Sequence, residues 1–144
     1  MEKANGTPIR LKHVTDIRDG SRKETIVLEA HGLYYIKENA SYLTFEESQD
    51  IGNVKTVVKI TKDEVVVIRS GAVQMRHVFR KKQETSGNYR TPFGVWTMKT
   101  KTDHIEYWYE EKTKKGKLFL SYTLEMQHER VGRHAVTITF REEL

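Results

Sequence analysis

The chain contains no cysteine, which excludes a disulfide framework, a thiolate zinc site and a cysteine nucleophile together. It also lacks any stretch near the ~18 consecutive apolar residues of a membrane-spanning helix. The opening run Met1-Glu2-Lys3-Ala4-Asn5-Gly6 has none of the apolar character of a secretory leader. A cytoplasmic protein with no membrane partner is the expectation. Helical periodicity is missing as well, since no window keeps apolar residues at i, i+3, i+4 and i+7. The P-loop, GxSxG, HExxH and dinucleotide signatures are all absent, so no catalytic motif is found, the reading leans away from an enzyme without excluding one, and no cofactor is expected. Asp16 with Asp19, and Glu46 with Glu47, are neighbours in sequence, but that does not place two carboxylates on one substrate.

An excess of one charge is also modest. The chain has 25 Lys plus Arg against 20 Asp plus Glu, a formal charge of +5. Glu46-Glu47, Glu110-Glu111 and Glu142-Glu143 interrupt the basic residues, whereas a dedicated nucleic-acid binder gathers its positive charge on one face or arm. With 37% hydrophobic and 31% charged residues, the composition is globular rather than disordered. The 144 residues are read as one domain over 1–144, with 1–7 expected to form a loose N-terminal segment.

What is present is alternation of period two, the signature of half-buried strands. The clearest run is Leu118, Leu120, Tyr122, Leu124 and Met126. The same pattern recurs at Val54 to Ile60, Met75 to Phe79, Ile105 to Tyr109 and Val136 to Phe140. Further strands are predicted near Ile9 to Ile17, Glu24 to Lys37, Tyr42 to Glu47, Val65 to Ser70 and Val95 to Lys101. Short connectors with turn chemistry separate them, at Lys62-Asp63, Ser70-Gly71, Thr102-Asp103, Lys114-Lys115-Gly116 and Arg130-Val131-Gly132-Arg133. Thr91-Pro92-Phe93-Gly94 fits a type I turn, and Gly32 inside a long strand predicts a bulge or bend. Eight to ten strands in a meander either stack as a sandwich or close on themselves. Closure removes exposed edges, so the reading is an all-β, closed, antiparallel up-and-down barrel of about 8–10 strands.

Val65 to Gly71 ending in Arg69-Ser70-Gly71, the run Tyr89-Arg90-Thr91-Pro92-Phe93-Gly94, and Leu118 to Leu124 around Tyr122 together resemble the YwiB-like family of small bacterial proteins. The likeness covers roughly Ile26 to Phe140. It implies an architecture similar to the calycins, the superfamily of lipocalins and fatty-acid-binding proteins, and brings no catalytic residue with it. The chain departs from the lipocalin pattern of an early tryptophan, because its tryptophans stand at 96 and 108.

Four residues are candidates for binding a ligand. Arg69 follows Val65-Val66-Val67-Ile68; if it shares the phase of Val65 and Val67, its guanidinium enters a low-dielectric interior and needs a partner. That partner is either a carboxylate such as Glu46 or Glu47, or the anionic head of a ligand. If the other face is inside, Arg69 sits at a solvated strand end. His77, between Met75 and Phe79, points inward either as a cavity group or as a hydrogen-bonded core histidine. Tyr122 lines the same interior.

His128 and His134 flank Glu129 to Arg133 and could bind a metal with Glu129 or Glu125, or form an exposed pair at a hairpin end; a zinc site needs at least three ligands, so no metal is expected. His13, His31 and His104 show no partner spacing. Arg80-Lys81-Lys82 and Lys112 to Lys117, with Tyr107-Trp108-Tyr109 beside the latter, fit either a nucleic-acid surface or solvated hairpin tips. Trp108 with Phe119 is a possible homodimer face. The leading reading is a non-catalytic barrel that binds a small, partly apolar, anionic molecule inside.

Overall fold

The computed structural model describes residues 6–143. Ten strands follow one another in chain order: β1 (Thr7–Asp19), β2 (Arg22–Lys37), β3 (Ala40–Gln49), β4 (Gly52–Ile60), β5 (Glu64–Gly71), β6 (Gln74–Arg80), β7 (Glu84–Thr91), β8 (Gly94–Glu110), β9 (Lys115–Met126) and β10 (Glu129–Glu142). Each pairs antiparallel with its neighbour in sequence, and β1 pairs with β10 from Ile9↔Glu142 to Arg18↔Arg133, which closes the barrel. The expected all-β closed meander is what the chain forms. Of the segment expected to be loose, residues 1–5 lie outside the described residues, while Thr7 already pairs with Tyr34 as the first residue of β1.

Two departures from the expected strands have one cause each. Val95 to Lys101 and Ile105 to Tyr109 are a single strand, β8, and Thr102-Asp103 is a bulge rather than a turn. The extra residue resets the alternation, so that Thr102 and Ile105, three apart, are both buried. Strand β7 is absent from the sequence reading because Glu84-Thr85-Ser86-Gly87-Asn88 has almost no apolar face. Its continuous ladder with β8, from Glu84↔Lys101 to Thr91↔Gly94, holds it in the sheet.

One end of the barrel is plugged. Tyr34 stacks on Tyr109 with ring centroids 4.7 Å apart and touches Phe140 at 5.3 Å, and its hydroxyl lies 3.2 Å from that of Tyr107. Ile9, Leu11, Leu43, Ile60, Val65 and Leu118 fill the space behind them. The opposite half is less full. Pairing of β2 with β3 begins at Gly32, opposite Phe45, and a Cβ there would run into the Thr44 carbonyl oxygen. Beyond it, Arg22 to His31 pair only with β1 and Glu46 to Gln49 only with β4, so the wall parts on that side.

The outer faces carry Lys, Arg and Glu along most strands, unlike the apolar band of a membrane barrel. Among the described residues no helix is long and apolar enough to cross a membrane.

Candidate functional site

The unplugged half encloses a cavity of about 290 Å³. Its walls are largely aliphatic and aromatic, including Phe45, Val58, Val67, Met75, Phe79, Leu120, Leu124 and Met126. Ile26 lines it and is also 48% exposed, so the void reaches solvent where β2 parts from β3. The polar groups set into this apolar shell include His13, Thr56, Arg69, His77, Tyr122 and His134.

Arg69 takes the inward phase, two residues after Val67 on β5. Its Nε is buried without a hydrogen-bond partner, and among the described residues it enters no ion pair. Directly across the β4–β5 ladder stands Thr56, whose buried Oγ1 is likewise unpartnered. Two adjacent orphaned polar groups against one void are a departure from the near-complete pairing of buried polar atoms in folded proteins.

His77 is buried, and its Nε2 lies 2.6 Å from Thr100 Oγ1 on β8, a hydrogen bond whose donor is set by the imidazole tautomer. The ring packs at 4.1 Å on Phe79 and edge-on to Tyr122 at 5.8 Å. Burial, reinforced by the Arg69 charge and then by His134, pushes its pKa down to about 4. His13 is lowered for the same first two reasons, against a smaller upward pull from Glu47. Burial also lowers His134, which stacks on Tyr122 with centroids 5.2 Å apart. Burial raises the Tyr122 phenol, and Arg69 opposes that rise. All three imidazoles are therefore held toward the neutral form, and among the described residues Arg69 is the one permanent cation of the cavity wall.

Of the four sequence candidates, the structure brings Arg69, His77 and Tyr122 together and separates Glu46 from them. Glu46 is exposed on the outer face opposite Lys55, because the inward phase of β3 runs Leu43, Phe45, Glu47. Glu47 acts on His13 through its charge but forms no ion pair with Arg69.

His128 and His134 do not meet. The hairpin turn is Gln127-His128, both with left-handed backbone at φ 53° and 69°, which leaves His128 exposed. Gly132 belongs instead to a bulge that turns His134 inward opposite Tyr122. No cluster of three or more metal-ligating side chains exists among the described residues. His13 was missed, although Ile9, Leu11 and His13 alternate in one phase and that signal was available.

The family model described as a domain of unknown function, DUF1934, matches residues 9–138. The chain belongs to the DUF1934 family. Its similarity to the Uncharacterized beta-barrel protein YwiB of Bacillus subtilis (strain 168) is 37% identity over 134 residues, 93% of each chain. The crystal structure of ywiB protein from Bacillus subtilis matches with a TM-score of 0.86 at 37% identity, over 96% of this chain and 93% of that one. The expected YwiB-like kinship is thus found, and the expected closed barrel of about 8–10 strands has ten among the described residues.

Proposed function

We propose that the barrel binds, without chemistry, a small molecule that carries an anionic group on an apolar body. The observation behind this reading is the unpartnered Nε of Arg69 at the wall of the 290 Å³ cavity. A guanidinium loses hydration when it is drawn toward an apolar interior and regains it only from a partner of opposite charge. No carboxylate of the described residues supplies that partner within ion-pair distance. An anionic head at Arg69 would receive the Nε–H, with the Thr56 hydroxyl beside it as a second donor. The aliphatic and aromatic walls then cover the rest of the molecule. The volume sits at the lower end of the range for ligand sites, about 300 Å³ upward, which favours a compact ligand. A closed antiparallel barrel with an interior void is also the architecture that carriers of the calycin type use.

Calorimetric titration with octanoate and with octanamide tests the reading, since the two share a body and differ in charge. Octanoate is expected to bind at least about tenfold more tightly, the worth of a charge-assisted hydrogen bond. Equal affinity for the two, or no binding of octanoate at millimolar concentration, would contradict it.

A further inference from the structure

The outer wall of the barrel holds a second feature, independent of the cavity. Strands β1, β10, β9 and β8 lie side by side, and their registers set two rows of outward side chains against each other. One row is Arg10, Arg141, Lys115 and Glu110; the next is Lys12, Thr139, Lys117 and Trp108. All of these except Glu110 line a shallow groove of about 310 Å³, closed on its β2 side by Glu29. Five of its side chains are cations, and all five are exposed. None of the five takes part in an ion pair among the described residues. The Glu110 carboxylate next to Lys115 instead accepts a hydrogen bond from Thr113 Oγ1 at 2.8 Å.

Trp108 stands among these cations with half of its surface (51%) in solvent. A large aromatic ring left exposed on the outer face of a sheet loses the burial that normally accounts for tryptophan. Stacking on a planar partner would recover it. Positive side chains that follow a backbone, combined with an aromatic ring that offers a π face, are the two ingredients of single-strand recognition. The sequence cluster Arg80-Lys81-Lys82 does not contribute, and Lys112 to Lys117 contributes Lys115 and Lys117; Arg10, Lys12 and Arg141 join them when β1 and β10 are brought into register with β9.

From this juxtaposition we infer that the β1–β10–β9–β8 outer face binds single-stranded nucleic acid, with Trp108 stacking on a base and Arg10, Lys12, Lys115, Lys117 and Arg141 meeting phosphates. The partner is a strand rather than an apolar protein surface because five unpaired cations stand against two carboxylates, Glu29 across the groove and Glu110 beside Lys115 at its edge. Duplex is disfavoured because its bases are not open to Trp108.

Fluorescence anisotropy of labelled dT12 and rU12 at 50 mM salt provides the test. Saturable binding is expected, with log affinity falling against log salt by about 0.7 for each phosphate neutralised. The double substitution Lys12→Glu with Lys117→Glu is expected to weaken binding at least tenfold and to flatten that slope by more than 1. Trp108→Ala is expected to weaken binding about tenfold with the slope unchanged. Arg69→Met, which alters only the interior site, should leave oligonucleotide binding intact, so this inference and the cavity reading fail separately. Four results would overturn it: no saturable binding of either oligonucleotide, tighter binding of a duplex of the same length, indifference of the affinity to Trp108→Ala, or a Trp108-dependent dimer in sedimentation with no oligonucleotide bound.

Discussion

Arg69 and Thr56 face each other across the β4–β5 ladder, and Nε of the one and Oγ1 of the other are both buried without a partner. The pairing is a consequence of register: the inward phase of β4 runs Val54, Thr56, Val58, Ile60, and that of β5 runs Val65, Val67, Arg69. A fold selected only for stability has no use for this arrangement, since a buried donor left unmade costs about 1–3 kcal/mol.

The first prediction follows from that cost. Arg69→Met keeps the length of the side chain and removes the orphaned donor, so the unliganded protein is expected to be more stable by about 1 kcal/mol or more. At this chain length that corresponds to a rise in Tm of roughly 2–4 °C per kcal/mol. The same variant should lose octanoate binding. Calorimetric melting with and without octanoate checks both halves. A destabilised variant would show that Arg69 has a structural partner.

Thr56→Val is the milder companion. It replaces a buried hydroxyl with a methyl of similar shape, and stability is expected to stay level or rise by up to about 1 kcal/mol, because no hydrogen bond is broken. Octanoate affinity should fall severalfold. Denaturant unfolding at constant m-value measures the first, and titration calorimetry the second.

The histidines predict a pH profile. His77 has a folded pKa near 4 against an ordinary value of 6.5, so the unfolded chain binds the extra proton over that interval. Its contribution to stability is therefore complete above pH 6.5 and is lost as pH falls toward 4, by about 3 kcal/mol for this one group. His13 and His134 are lowered too and act in the same direction. Urea unfolding between pH 7.5 and 4.5 is expected to show falling stability, and His77→Gln should make the decline shallower. Stability that rises toward pH 4.5 would contradict the burial of these imidazoles.

Gly32→Ala tests the parting of the wall. A methyl driven into the Thr44 carbonyl oxygen cannot be absorbed by a side-chain rotation, because the obstacle is backbone. The expected loss is in the upper part of the 1–3 kcal/mol range for overpacking, or beyond it. Denaturant unfolding reads it, and an unchanged midpoint would mean that β2 and β3 approach less closely.

Most of the barrel was legible because its strands announce themselves: Leu118 to Met126 and Val54 to Ile60 alternate without a break, and alternation fixes which side is inside. The same logic, carried one step further, places His13 inward and Glu46 outward. Alternation hides what bulges do. At Thr102-Asp103 and at Gly132 an extra residue resets the phase, and turn-like residues at those points imitate chain reversals. The true turn at Gln127-His128 puts two non-glycine residues in left-handed backbone, which no preference for turn residues would select. β7 was invisible because a long ladder, rather than its own composition, makes it a strand. The outer cationic face was legible only in part: Lys115, Lys117 and Trp108 lie in or beside the Lys112 to Lys117 cluster, whereas Arg10, Lys12 and Arg141 join them only because the barrel sets β1 and β10 beside β9.

The most direct measurement is a two-dimensional ¹⁵N spectrum of the arginine Nε–H groups during titration with octanoate, using Arg69→Met to assign the Arg69 signal. If the interior cation holds the anion, the Arg69 Nε–H resonance shifts saturably while the arginines of the outer wall stay still. Saturable movement confined to other arginines, with the Arg69 signal fixed, would contradict it.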